Sequence, residues 1–402
     1  MNNNLAVSET QTGSQAIVLL DPEVLRKPYS TYEQLRREEP VYWSEEIKHW
    51  VITRYEDVTS VLRNYKQFSN KRAHTVILEE HRALMNPFID KLAMWMSFTD
   101  PKEHTQVRSL MNEFFTAKKI KAMQPRIQSV IDSLLLPLLQ NGELDLVKDF
   151  AFPLPAIVIS EILGSDIADR DLIKQWCSDI AVVAGVTADI NALQTGQQSV
   201  LAITEYYKQV IDKRRQQPTD DLISKMLFDQ NSQIELDDEQ IAAQCIMTIL
   251  AGHETTQNLI ASGIYSLSQA PDQWEQLRQD PSLLDTAIQE FARFESPLQG
   301  LTRIATETVQ LRDKTIKKGD SVMVFLGSAN RDESMFKDPD QLIISRSRGE
   351  NRHIAFGVGV HLCIGVSVPV WPRWRPKWRS PPCSNTSIIS KSTPIPSGVP
   401  VT

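Results

Sequence analysis

Cysteine is scarce, and what there is stands apart: Cys177, Cys245, Cys363 and Cys383 are the only four in 402 residues, and no C-x-x-C pair occurs. Widely spaced cysteines in so long a chain argue against a disulfide framework and for a reducing compartment. Structural zinc draws four ligands, usually from closely spaced Cys or His pairs, and Cys363 with His361 and His353 falls short of that. Long apolar runs are missing too. None approaches the ~18 residues of a membrane span, and residues 1–15 lack the basic and apolar blocks of a signal peptide. We therefore expect a disordered leader at 1–16, no membrane anchor and a cytoplasmic location. Positive charge is not in excess: the net charge is −7, which offers no basic field for nucleic acid. No Gly/Ser-rich or charged linker interrupts the chain between about residues 17 and 365, so one large domain over 17–368 is expected rather than several.

What is present is mostly helix. Helical periodicity runs through residues 29–39, 55–64, 103–116, 119–140, 168–183, 192–215, 219–228 and 281–295. Two short strands are expected at 40–43 and 50–53, and residues 301–325 alternate like short strands, with a turn at Lys318-Gly319-Asp320. The longest run covers 237–269, with Asp237 as its cap and Gln240 in the capping-box position. At 1.5 Å per residue it spans ~45 Å, and a helix so long and apolar must cross the middle of the protein.

Four segments carry chemistry. The first is Phe356-Gly357-Val358-Gly359-Val360-His361-Leu362-Cys363-Ile364-Gly365. Its glycines allow tight turns and close approach to a large flat ligand, and its lone cysteine can present one sulfur to one metal. A free cysteine is more often a small buried hydrophobe, so this loop needs support from the other segments. The second, Ala251-Gly252-His253-Glu254-Thr255-Thr256, lies inside the long helix, where Gly and two threonines cost helix propensity. Threonine hydroxyls can bond back to the preceding turn and bend the ladder, and a bulge there would open a groove. Glu254 beside Thr255 pairs an acid with a hydroxyl, as proton delivery to bound dioxygen needs; a kinked helix without chemistry is the alternative. The third, Glu290-Phe291-Ala292-Arg293, puts opposite charges three apart on one helical face and taken alone reads as a surface salt bridge. The fourth is a set of cations, His104 and Arg108 at i, i+4, with Arg303 and His361 far off in sequence, each alone an ordinary solvated charge.

In this order and spacing the segments resemble the cytochrome P-450 monooxygenases of the soluble bacterial type, from about residue 21 to residue 368. The stretch Ala329-Asn330-Arg331-Asp332, with Phe336 and Asp338-Pro339-Asp340, is also similar to the family's approach to its cysteine loop. The resemblance implies a mainly α, triangular fold with a small β-rich region and haem b held between the long helix and the Cys loop. It makes Cys363 the thiolate ligand of iron, within a loop whose Phe356 and Gly365 also border the haem. Thr255 becomes the oxygen-side hydroxyl, Glu254 the relay acid, and Ala251-Gly252 the kinked groove. His104, Arg108, Arg303 and His361 become donors to the haem propionates, and Glu290, Arg293 and Arg346 a buried structural trio. The implied reaction inserts one atom of O2 into a lipophilic small molecule. The chain shows no flavin- or iron–sulfur-binding segment, so electrons are expected from a separate ferredoxin or flavodoxin with its reductase, docking near the Cys loop of a monomer. Peroxide-driven oxygenation on the same fold, a non-catalytic haem-binding or sensor role, and a pseudogene product disabled by its C-terminus are the alternatives. Pocket residues are expected from 69–95, 182–186 and 298–301.

The resemblance stops at about Val368. Residues 366–402 contain no Leu, Asp or Glu, yet hold eight of the 22 prolines and three of the eight tryptophans. Proline at that density excludes a helix. Read one base out of frame, 374–386 can encode Leu-Glu-Ala-Gln-Met-Ala-Ile-Ala-Ala-Leu-Phe-Gln-His, a helix-forming string. An out-of-frame, poorly packed tail at 369–402 is therefore expected.

Overall fold

The computed structural model describes residues 17–141, 144–183, 189–229 and 234–367. The leader expected at 1–16, the tail at 369–402 and part of the pocket segment expected at 182–186 lie outside these residues. Short α1 (Pro22–Arg26) and α2 (Tyr29–Glu38) lead into β1 (Val41–Ser44) and β2 (His49–Ile52). These two strands form the expected antiparallel hairpin, Val41 opposite Ile52. After α3 (Tyr55–Arg63) and β3 (Phe68–Ser69) comes a helical block. It opens with α4 (Asn86–Ala93), α5 (Pro101–Phe114), α6 (Ala117–Asn141), α7 (Pro153–Leu163) and α8 (Arg170–Val183). It continues with α9 (Ile190–Gln216), α10 (Leu222–Phe228), α11 (Asp238–Ser268), α12 (Pro271–Gln279) and α13 (Leu284–Phe294). The chain returns to sheet in β4 (Gly300–Ala305), β5 (Val309–Leu311), β6 (Lys314–Ile316) and β7 (Ser321–Phe325), and α14 (Leu326–Ala329) adds one turn.

Local chemistry sets the helix ends. Helix α5 starts two residues before its periodicity, because Pro101 in the first turn has no amide to lose. Helix α10 starts at Leu222 rather than 219, where the Asp221 carboxylate accepts from the Ser224 amide at 2.8 Å. At the head of α11, Asp237 accepts the Gln240 amide at 2.7 Å, and the Gln240 side chain accepts the Asp237 amide at 3.0 Å. This reciprocal cap starts a helix of 31 residues. Because α11 is apolar around much of its circumference, it is buried on several sides, packing on α7, α9 and α13.

One sheet has the order β1-β2-β7-β4-β3, with β2 and β7 parallel and the other neighbours antiparallel; β5 and β6 form a separate hairpin. Gly319, at φ +91°, makes the expected turn into β7. The largest apolar core joins α4, α5 and α7–α11, while a second lies between α3 and the sheet. Among the described residues no helix is long and apolar enough to cross a membrane.

Candidate active site

The cysteine loop is closed by its own backbone. The Cys363 amide donates to the Phe356 carbonyl at 2.9 Å, and the Gly357 amide to that of Ile354 at 2.8 Å. Gly357 and Gly359 take φ +71° and +77°, a region open to glycine at little cost. A Cβ on Gly359 would lie 2.9 Å from the Leu62 carbonyl oxygen, so this glycine also lets the loop lie on the end of α3. Gly365 has no such dihedral, and a Cβ there would sit 3.6 Å from Cys363 Sγ, an ordinary contact, so neither backbone nor space in this loop requires glycine at 365. No amide of the described loop donates to that sulfur. The small-hydrophobe reading suits Cys177 and Cys245, which are buried, with thiols that burial pushes up, that of Cys177 to about 12. Cys363 is exposed. His353, considered above with zinc, faces Gln289 Oε1 at 2.9 Å.

The four expected cations come together beside this loop. His104 is 1% exposed, and neither ring nitrogen has a hydrogen-bond partner. Its ring centroid is 4.0 Å from that of His361, whose Nε2 is also unpartnered. Arg108, one turn on from His104, donates to the Leu362 carbonyl, next to Cys363. Arg303 is buried on β4 with Nη1 on the Thr302 carbonyl at 2.7 Å. Sequence reading passed over a fifth cation, Arg72, which is buried nearby with Nε unpartnered; in Lys71-Arg72 it looks like surface charge. Burial first, and like charges nearby second, lower the pKa of His104 to about 4 and of Arg303 to about 9. His361 falls to about 2 through burial, then repulsion by His104, Arg303, Arg108 and Arg72. Arginines so crowded around two imidazoles, with donors unused, make a place for an anion with more than one charge.

The His104 imidazole makes stability depend on pH. The folded chain resists a proton that the unfolded chain accepts at about 6.5, so stability present above that pH falls as pH drops towards 4. Arg108 reinforces this resistance and Asp100 opposes it. The expected loss from His104 alone is roughly 2 kcal/mol, read as the urea midpoint of haem-free protein at pH 7 and pH 4.5. His104→Gln should flatten that difference; an unchanged pH dependence would assign it to other groups.

Helix α11 sorts its hexapeptide by face. At 100° per residue, Ala251, Glu254 and Thr255 share one side, and Gly252 and His253 turn away. A Cβ on Gly252 would meet Ile159 Cδ1 at 2.7 Å, so this glycine admits α7. His253 Nε2 is 3.2 Å from the Phe152 carbonyl. On the other side Ala251 is exposed, although it stands in mid-helix. The Thr255 hydroxyl donates to the Ala251 carbonyl at 2.7 Å, the expected back-bond. The expected bulge is not found: α11 remains α-helical throughout, because the hydroxyl adds to the ladder without displacing an amide. Burial raises the Glu254 pKa, and the Cys177 thiol of α8 feels its charge.

Beneath lies a closed ionic knot. Arg293 grips both Glu290 oxygens at 2.8 Å, and Arg346 Nε reaches Oε2 at 3.2 Å. The Ile343 amide at 3.0 Å and Asn351 Nδ2 at 3.2 Å complete the carboxylate's shell. The remaining guanidinium hydrogens of Arg293 go to the carbonyls of Asn330, Pro339 and Gln341, and Arg346 also donates to those of Lys337 and Asp338. The surface-bridge reading of E-x-x-R therefore fails: Glu290 and Arg293 are 0% exposed. Asn351 was not legible from sequence.

Of the expected pocket segments, 69–95 contributes Ala73, His74, Ile89 and Met94 to a cavity of about 500 Å³ that α5 and the head of α11 also line. Leu298–Leu301 does not line it. Gln244 of α11 accepts the Met96 amide at 3.1 Å and donates to the Met94 carbonyl at 2.8 Å, tying this wall to the central helix.

An exposed thiol on a glycine-turned loop, a cluster of buried arginines and unpartnered imidazole nitrogens beside it and a small-residue face on a buried helix fit iron protoporphyrin, whose iron would take a thiolate and whose two carboxylates need donors. Fold and site thus define the class of haem-thiolate proteins. The chain belongs to the cytochrome P450 family of monooxygenases: the family model for cytochrome P450 matches residues 187–368. The biotin biosynthesis cytochrome P450 of Bacillus subtilis is 34% identical over 348 residues, 86% of each chain. The vitamin D(3) 25-hydroxylase of Pseudonocardia autotrophica is 33% identical over 363 residues, 89% of this chain and 87% of that one. Among solved structures, P450BioI in complex with acyl carrier protein ligated to hexadec-9Z-enoic acid aligns at TM-score 0.80 and 34% identity, over 86% of this chain and 88% of that one. CYP109E1 from Bacillus megaterium in complex with testosterone aligns at 0.78 and 34%, over 86% and 87%.

Proposed function

We propose that the chain binds haem b and hydroxylates a lipophilic small molecule in the cytoplasm, as a monomer served by a ferredoxin or flavodoxin and its reductase. The observation that carries this reading is the meeting of exposed Cys363 with Arg108, Arg303 and the unpartnered imidazole nitrogens of His104 and His361. Cys363 would bind the iron, with Phe356 and Gly365 bordering it, and His104, Arg108, Arg303 and His361 would hold the propionates. When bound, haem supplies dioxygen activation, in which two electrons and two protons accompany transfer of one oxygen atom to substrate and release of the other as water. The residues govern the protons. Thr255 parks its hydrogen on the Ala251 carbonyl at 2.7 Å and can turn it to an acceptor across the exposed Ala251. Glu254 carries a raised pKa, so it holds a proton closer to neutral pH than an ordinary carboxyl and can replace the one Thr255 gives up. A substrate with an apolar body suits the Ile89, Ala93, Met94 and Phe98 side of the cavity, and long-chain acyl and steroid ligands occur on the similar proteins.

Thr255→Ala tests the proton assignment. With a reconstituted redox chain, the variant is expected to keep haem and substrate while product per NAD(P)H falls and hydrogen peroxide rises. Glu254→Gln should slow turnover at unchanged substrate affinity. Equal coupling in both variants would leave the two residues a packing role. Activity with peroxide but not with the redox chain would favour the peroxygenase reading, and haem binding with neither would favour a sensor.

A further inference from the structure

Arg72 is held in place by backbone before its side chain is considered. Its amide donates to the Asn70 carbonyl at 2.7 Å, and its own carbonyl accepts the Thr75 amide at 2.9 Å and the Thr75 hydroxyl at 2.8 Å. The side chain then runs inward to 5% exposure, with the guanidinium carbon 4.2 Å from the centre of the Phe98 ring. Phe98 in turn meets Trp95 edge-on at 5.9 Å.

No carboxylate answers this buried cation among the described residues. Asp100 accepts the Ser69 hydroxyl at 2.6 Å and the Asn70 amide at 2.8 Å, and its charge is felt by Arg303. The groups that feel Arg72 are themselves basic: Arg303, His361 and His49. An aromatic face offsets only part of the desolvation of a guanidinium, and neighbours of like charge add to the cost. A native fold retains such a group where an anion completes it.

We propose that Arg72 is a third arginine of the carboxylate-binding end of the cofactor site, donating from its guanidinium to a haem propionate beside Arg303 and Arg108. This assignment rests on the haem-binding reading above. It gives the segment between β3 and α4, which also walls the cavity, a direct bond to the cofactor. Haem loading and the seating of that wall are thereby coupled.

The test compares Arg72→Met, which keeps the packing on Phe98 without the charge, and Arg72→Lys, which keeps charge but not the planar fork. Two quantities are read on the full chain: the thermal midpoint of the haem-free form, and the rate of haem loss to excess apomyoglobin. Arg72→Met should leave the haem-free midpoint equal or higher, because an unanswered charge is gone, yet lose haem at least about tenfold faster, as removal of a charge-assisted hydrogen bond implies. Arg72→Lys should fall between. Haem dimethyl ester, which has no free propionates, should abolish the difference between wild type and Arg72→Met. A difference that persists with the ester, or haem loss unchanged in Arg72→Met, overturns the assignment while leaving the haem reading intact. A wild-type chain that takes up no haem overturns both.

Discussion

Cys363→Ala is expected to lose the red-shifted Soret band that thiolate ligation gives the reduced carbon monoxide complex, while the fold survives. Cys363 is the exposed member of the three described cysteines, so its truncation leaves no core cavity, and the small cost of a surface substitution, within about 0.5 kcal/mol, applies to the haem-free chain. The push of electron density that a thiolate gives to iron has no replacement in an alanine. Cys177→Ala and Cys245→Ala are the controls. Both thiols are buried and hard to ionise, so these variants should keep the band although they lose core packing. Persistence of the band in Cys363→Ala, or its loss in either control at full haem content, would refute Cys363 as ligand.

Glu290→Ala is expected to abolish soluble folding. It would leave Arg293, 0% exposed, and Arg346, whose side chain is 5% exposed, without the carboxylate they share. Removing one partner of a buried ion pair costs about 3–5 kcal/mol, and here two cations are orphaned together with the Ile343 amide, whose unmet hydrogen bond costs about 1–3 kcal/mol more. Against a typical total of about 5–15 kcal/mol, that is most of the stability. The exposed Arg278–Glu275 pair is the contrast: Glu275→Ala should leave the thermal midpoint close to that of wild type. Soluble yield and thermal midpoint decide the matter. A Glu290→Ala protein that melts within a few degrees of wild type would mean that the knot is not structural.

These two residues mark opposite limits of what could be read in advance. Cys363 was legible because its chemistry is local: glycines at fixed offsets let one sulfur stand out, and the offsets are written in the chain. Glu290 and Arg293 gave a spacing that many exposed helices share, and only the family resemblance implied that they are buried with Arg346. Their burial depends on carbonyls 37 to 48 residues away and on Asn351, none of which carries a pattern. Thr255 lies between these cases, since its back-bond to Ala251 follows from helix geometry. The absence of a bulge, and the use of Gly252 to admit Ile159 of α7, depend on a neighbouring helix that periodicity does not locate.

By itself the sequence determined the helical class, the capping box that starts α11, the glycine turn into β7, the cysteine loop and the order of the motifs. Each is a short-range matter of dihedrals, caps or spacing. The residues' own patterns did not say which charges are buried or what they face; the resemblance implied part of it, and the tertiary structure decided the rest. It brought His104 to within 4.0 Å of His361, added Arg72 to the cluster and closed the knot around Glu290. Exposure and electrostatic environment are set by segments far apart in sequence, and no local rule records which of them will meet.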